Sequence, residues 1–366
     1  MSKDLVSTEN MTVGYGKIPL IEQIELHVKK GEIVTLIGPN GAGKSTILKS
    51  VTGQLNLING AVYLDGQSMK NMPEKQIAKQ MSILMTERIR PELMTCADVV
   101  GTGRYPYTGR MGILTEADRK KVGEAIELVH GEEIADRDFS EISDGQKQRI
   151  LLARAICQEP EVIVLDEPTS FLDIRHKLEL LTILKDLVRE KRVGVLMSLH
   201  ELDLAQKLSD YIVCVKGNTI KRCGTPEEIF TSDYMKELYE ITKGSFYAEF
   251  GCLEMEAVKG RPEVFVIGGN GSGIPVYRKL QRKGTPFAAG ILHENDIDYP
   301  VAKALSANLI SEVPFEPISE ETFERAAEVL RSCDRVICCL SDFGSLNEKN
   351  RRLLELGKEK QIDGMP

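Results

Sequence analysis

Residues 38–46 read Gly-Pro-Asn-Gly-Ala-Gly-Lys-Ser-Thr, a G-x-x-x-x-G-K-S run around which the chain must organise itself. The apolar run Ile33–Ile37 precedes it and predicts a buried strand, and Ile47 and Leu48 open a helix behind it. Strand, glycine loop and helix in that order form the context a phosphate-binding P-loop requires. Gly38, Gly41 and Gly43 let backbone N–H groups turn inward onto phosphate oxygens, and Pro39, Asn40 and Ala42 complete the loop. The helix N-terminus adds partial positive charge. Lys44 would reach the β- and γ-phosphates and Ser45, next to Thr46, would hold Mg²⁺. The alternative, a glycine-rich turn that happens to contain a lysine, does not account for the flanking strand and helix.

A chain of 366 residues suggests two or three domains. With 42% hydrophobic and 28% charged residues the composition is that of a globular protein. The net charge of −8 argues against non-specific nucleic-acid binding as the main task. No stretch approaches about 18 uninterrupted apolar residues, so no spanning helix is expected, and the N-terminus lacks the apolar core of a signal peptide. Eight scattered cysteines without a C-x-x-C pair read as reduced thiols in the core. Cys338 and Cys339, inside the apolar run 336–340, predict a buried strand rather than a metal or redox site.

Upstream of the loop, residues 11–28 alternate like strands around a turn that carries Tyr15, whose ring could stack on adenine. Alone, a turn tyrosine is a structural residue. Further strands are expected at 60–66 and 82–85, a helix at 73–79, and a mainly helical region at 90–140. There Thr115 and Asp118 outline a capping box ahead of a helix facing inward with Val122, Ala125, Ile126 and Val129. Residues 142–146 (Ile-Ser-Asp-Gly-Gln) then open an amphipathic helix that stops before Pro160. Ser143, Gly145 and Gln146 at its start offer a second anion site, or simply an ordinary helix cap.

Residues 162–167, Val-Ile-Val-Leu-Asp-Glu, are a Walker B pattern. Asp166 at the strand end can reach Mg²⁺. Strand alternation would point Glu167 the other way, toward a water it could orient and polarise, and Pro168 blocks the strand from continuing. After Ser170 to Asp173 and a helix, the apolar run 193–197 ends near His200. Parallel sheets gather ligand groups at the C-terminal ends of their strands, which makes His200 a candidate γ-phosphate contact.

In order and type these motifs resemble the ATP-binding subunits of ABC transporters. Residues 38–46 are similar to their Walker A, 142–146 to the signature sequence, 162–167 to Walker B, 170–173 with Asp173 to the D-loop, and His200 to the switch histidine; Tyr15 takes the place of the adenine-stacking aromatic. Residues 100–107 are similar to importers of iron–siderophores, haem or vitamin B12. The resemblance implies a homodimer with two ATP molecules sandwiched between protomers, the P-loop of each facing Ser143 and Gly145 of the other. It also implies a separate integral-membrane permease, a substrate-binding protein, Mg²⁺, a place at the cytoplasmic face of the membrane, and no nucleic-acid partner. Catalysis would fall to Glu167, His200 and Lys44, with metal contacts from Ser45, Asp166 and Glu87. Asp144 stands where the signature normally has glycine, and Glu87 where the Q-loop has glutamine. Glu87 can ligate Mg²⁺ but adds negative charge, so Glu87→Gln is expected to keep or raise ATPase activity. The other reading is a soluble ABC-type ATPase working as a mechanical clamp or regulator without a permease, with the tail as a ligand-sensing module, although soluble translation-type members usually carry two cassettes.

The fold class that follows is α/β: a P-loop NTPase cassette over residues 1–258, with a parallel-sheet core, an antiparallel β subdomain and a helical subdomain at about 86–158, plus a small parallel α/β domain at 263–366. That tail has a Rossmann-like rhythm. Its glycine turn at 268–273 could cradle a phosphate or another anion, or be a mere tight turn or a dimer contact, and Glu294 and Asp296 lie where a ribose-binding acid belongs. It lacks the Lys-Ser of a second ATPase site.

Overall fold

A computed structural model describes residues 4–85, 93–109, 111–170, 172–247 and 251–361. The chain forms two compact units, Met1–Tyr234 and Met235–Pro366.

In the first unit, the long strand Asp4–Tyr15 pairs antiparallel with Ile18–Ile24, His27–Lys29 and Asn59–Leu64, and the last of these pairs with Gln67–Ser68. Val6, Met11 and Val13 on this strand are fully buried. A second sheet has the spatial order Thr219–Gly224, Tyr211–Lys216, Ile33–Ile37, Gly194–Ser198, Val162–Asp166, Met81–Leu84, parallel except for the first pair. The central strands Ile33–Ile37, Val162–Asp166 and Gly194–Ser198 are buried throughout, as expected of a parallel sheet covered on both faces. Helix Lys44–Val51 sends Ile47, Leu48 and Val51 into one core with Met11, Ile21 and Ile24 of the first sheet and Leu36, Val164 and Leu196 of the second. Its N-terminus is thereby anchored at the strand ends.

The helical region contains Cys96–Gly101, Glu116–Leu128 and Asp144–Cys157. All three helices begin with capping boxes, Thr95 with Asp98, Thr115 with Asp118, and Ser143 with Gln146. Val122, Ala125, Ile126 and Val129 are buried, as their spacing predicted. Inside this region Arg104 is buried; its guanidinium donates to Asp118 Oδ1 at 3.0 Å, Glu159 Oε2 at 2.9 Å and the Cys157 carbonyl at 2.8 Å, and it lies over the Tyr107 ring.

The second unit has four parallel strands in the order Asn308–Glu312, Phe287–His293, Val264–Ile267, Arg335–Cys338. In chain order this is 3-2-1-4, so the winding reverses between Val264–Ile267 and Arg335–Cys338. Helices Ile274–Arg282, Asp298–Leu305, Glu320–Ser332 and Glu348–Leu356 accompany the sheet, with two apolar cores of its own. The hairpin Ser245–Tyr247 and Cys252–Glu254, expected to end the first domain, falls in the second unit. The buried Glu254 carboxylate pairs there with Arg278, and that long-range ion pair has no local sequence signature. The strand expected through Leu340 stops at Cys338, and Cys338 and Cys339 are half-buried.

Candidate nucleotide site

The P-loop takes the shape its glycines permit. Gly38, Gly41 and Gly43 all have positive φ. A Cβ on Gly38 would sit 2.0 Å from the Val215 carbonyl oxygen, and one on Gly43 2.5 Å from the Ile21 side chain. At Gly41 nothing lies within 4 Å, so the loop backbone is open to a ligand there. Lys44 is buried, and its Nζ donates to the Gly38 carbonyl at 2.8 Å and the Pro39 carbonyl at 3.1 Å. Burial pulls the Lys44 ammonium below its ordinary pKa, and the nearby charges of Glu167 and Asp166 oppose that. A polyphosphate beside it would strengthen the opposing effect.

Strand order delivers the remaining groups to the same edge. Gly194–Ser198 lies between the P-loop strand and the Walker B strand, with Ser198 in register with both Leu36 and Asp166. Asp166 Oδ1 accepts from Ser198 Oγ at 2.7 Å and from Ser45 Oγ at 3.1 Å. A buried carboxylate beside a serine hydroxyl is the all-oxygen donor set a hard divalent cation prefers.

Glu167 lies one residue past the strand, with φ 48°. Its direction therefore comes from a left-handed backbone step rather than from strand alternation, which corrects the expectation. Its amide donates to Ser198 Oγ at 3.0 Å. One carboxylate oxygen meets His200 Nε2, and the other accepts from Ser170 Oγ at 3.1 Å. Such a backbone excursion in a non-glycine residue is uncommon and tends to concentrate at functional sites. Tyr15 is 61% exposed, leaving its ring face accessible, and its hydroxyl lies 3.5 Å from Thr46 Oγ1.

Ser143, Gly145, Gln146 and Asp173 form a second cluster. Ser143 Oγ accepts from the Gln146 amide at 3.3 Å, and Gln146 Oε1 accepts from the Ser143 amide at 3.0 Å. Asp173 caps helix Ile174–Lys191 by accepting from the His176 amide at 2.9 Å, and a Cβ on Gly145 would lie 3.3 Å from the His176 ring. Glu87 lies outside the described residues.

Sequence reading missed Ser198, which touches both acids across strands. It also missed Glu201, whose carboxylate accepts from Thr169 Oγ1 at 2.9 Å and pairs with Lys177 at 2.5 Å. Burial raises the Glu201 pKa, but Lys177 and Thr169 outweigh it and hold the carboxyl below its ordinary value. The only linear hint for Ser198 was its position at the end of an apolar strand.

A P-loop, a Walker B acid pair and a histidine on adjacent strand ends, with an antiparallel sheet and a capped helical insert, define an ATP-binding cassette. The chain belongs to the ABC transporter ATP-binding family, and its first unit is an ABC-type ATPase. The ABC transporter family profile matches residues 21–170, and a second profile, the MJ0874 family, matches residues 287–363. The chain is 40% identical over 290 residues to the uncharacterized ABC transporter ATP-binding protein MJ0873 of Methanocaldococcus jannaschii, covering 79% of this chain and all of that one. It is 39% identical over 266 residues to the iron(3+)-hydroxamate import ATP-binding protein FhuC of Bacillus subtilis (72% and 99%), and 29% identical over 311 residues to the cobalamin import ATP-binding protein BtuD of Halobacterium salinarum (83% and 77%). Among solved structures, a metal-chelate-type ABC transporter in an inward-facing conformation matches with 25% identity and TM-score 0.57, covering 64% of this chain and 88% of that one.

Proposed function

We propose that this chain is the ATP-hydrolysing subunit of an importer for a metal chelate of the siderophore or cobalamin kind, acting as a homodimer bound peripherally to a separate permease served by a substrate-binding protein. The observation that carries the reading is the chain of hydrogen bonds from Ser45 through Asp166 and Ser198 to the Glu167 amide, continued by the Glu167–His200 contact. It joins the Walker A and Walker B motifs and the switch histidine on one sheet edge. The import of iron(3+)-hydroxamate and of cobalamin by its relatives supports the cargo class. Among the described residues no helix is long and apolar enough to cross a membrane, in keeping with a separate permease.

Lys44 neutralises phosphate charge and orients the terminal phosphates. Glu167 holds the attacking water and takes its proton as the bond between the γ-phosphorus and the bridging oxygen breaks. His200 fixes the Glu167 carboxylate and would contact the γ-phosphate of bound ATP. Ser45 and Asp166 would hold Mg²⁺, which would supply charge neutralisation at the phosphates. Ser143 and Gly145 of the facing protomer close the cage from the other side, with the helix N-terminus aimed at the phosphates.

Light scattering of Glu167→Gln with ATP and Mg²⁺ tests this: a dimer is expected, dissolving when ADP replaces ATP. A monomer under all conditions, both alone and with the permease, would refute the sandwich. Retrieval of a polytopic membrane protein with the tagged chain tests the importer assignment. An ATPase that is fully active and recovered without such a partner would favour a regulator instead.

A further inference from the structure

The second unit holds a cavity of about 740 Å³ at the C-terminal ends of its strands, where the winding reverses. That is the usual ligand position in an open parallel sheet, and the size falls within the usual range of small-molecule pockets. Its wall includes the start of the glycine turn, the end of Phe287–His293 and the segment after Arg335–Cys338.

The turn was expected to cradle a phosphate or another anion. Its own chain provides the anions instead. The Asn270 amide donates to both oxygens of Asp296 at 3.0 Å, and the Gly273 amide to Asp298 Oδ2 at 2.8 Å. Asp298 is fully buried against the N-terminus of helix Ile274–Arg282, and burial pushes its carboxyl above the ordinary pKa. The Asn270 and Gly273 amides that a phosphate would use are already satisfied by carboxyl oxygens of the chain itself.

The wall of the cavity has the same preference. Asp296 and Asp342 line it, and among the described residues the lining contains no lysine or arginine. The one imidazole there, His293, has its Nε2 2.8 Å from the Glu316 carbonyl. A phosphate would meet two carboxylates with no cation beside them. Carboxylates and carboxamides, from Asp296, Asp342 and Asn295, are suited to hydroxyl and amine groups. Asp296 accepts from the Asn270 and Asp298 amides, which leaves its fourth lone pair for a hydroxyl. Phe315, 78% exposed, and Ile297, 48% exposed, offer apolar surface for a flat ring at the same rim.

We propose that this cavity binds an uncharged or cationic nucleoside through its sugar hydroxyls and base, and rejects the 5′-phosphorylated forms. The site is separate from the P-loop and does not depend on the importer assignment. Calorimetric titration of the full chain with adenosine, guanosine, cytidine and uridine, each against its 5′-monophosphate and 2′,3′-dideoxy form, tests it. At least one nucleoside should bind, with its monophosphate and dideoxy analogue each about 10-fold weaker, the equivalent of one lost polar contact. Asp342→Asn and Phe315→Ala alter exposed side chains, so both should fold and keep their ATPase activity while weakening the nucleoside by a similar factor. Three results would each overturn the proposal: a monophosphate binding as tightly as its nucleoside, no nucleoside bound at millimolar concentration, or binding unchanged in both variants.

Discussion

Ser198 donates its hydroxyl proton to Asp166 and accepts the amide proton of Glu167, so one small side chain holds both acids of the nucleotide site. Ser198→Ala should lower kcat for ATP hydrolysis by roughly 10–100-fold, the usual effect of losing a group that orients a metal ligand. Steady-state kinetics on the purified variant checks this, and an unchanged kcat would remove Ser198 from the mechanism. Gly38→Ala should behave differently. Its methyl would lie 2.0 Å from the Val215 carbonyl, at a φ of 146° that alanine avoids, so loss of folded protein on expression is the expected outcome. Lys44, Ser45, Asp166, Glu167 and His200 were legible because each sits in or beside a linear run with a recognisable chemical pattern. Ser198 was not, because its partners come from neighbouring strands and register is not written in any short stretch of chain. The direction of Glu167 was misread for a related reason. Alternation applies only while the strand lasts, and this strand ends one residue earlier.

Helix starts were the most readable elements, since a capping box needs only residues three apart. Thr115 and Asp118 satisfy each other as their spacing implied, with the Asp118 amide donating to Thr115 Oγ1 at 3.2 Å and the Thr115 amide to Asp118 Oδ2 at 3.0 Å. What the spacing does not reveal is that Asp118 also receives Arg104. Contacts from the Thr115 hydroxyl and amide, then from Arg104, hold the Asp118 carboxyl below the ordinary range. Arg104→Ala should therefore destabilise the first unit by roughly 1–3 kcal/mol, because Asp118 keeps its Thr115 donors but loses its cation, and the buried Cys157 carbonyl loses the Arg104 donor. The midpoint of urea denaturation measures the loss; a shift of a few tenths of a kcal/mol would show the ion pair to be idle. The hairpin at 245–254 is the opposite case. Its place in the second unit, where Glu254 pairs with Arg278, rests on contacts far apart in the chain.

Each unit of the molecule has its own sheets and its own apolar packing, so calorimetry of the whole chain should resolve two transitions. ATP with Mg²⁺ should raise only the transition of the first unit, since binding stabilises the unit that binds. Acid should act on the second through Glu312. The Ser319 amide at 2.7 Å, together with the Val313 amide, holds the Glu312 carboxyl at about 2, against an ordinary 4.5. Folded Glu312 stays ionised where the unfolded chain takes up a proton, so its contribution is full above the ordinary carboxylate range. It is lost as pH falls from 4.5 toward about 2. Glu312→Gln should flatten this acid limb of the second transition, and an unaltered limb would assign it to other groups. The glycine turn of the second unit resembles a nucleotide grip but already has Asp296 and Asp298 in its grasp. A radiolabelled triphosphate counted against polypeptide should therefore saturate at one equivalent, and a chain with two glycine loops would pass in a filter assay for a protein with one.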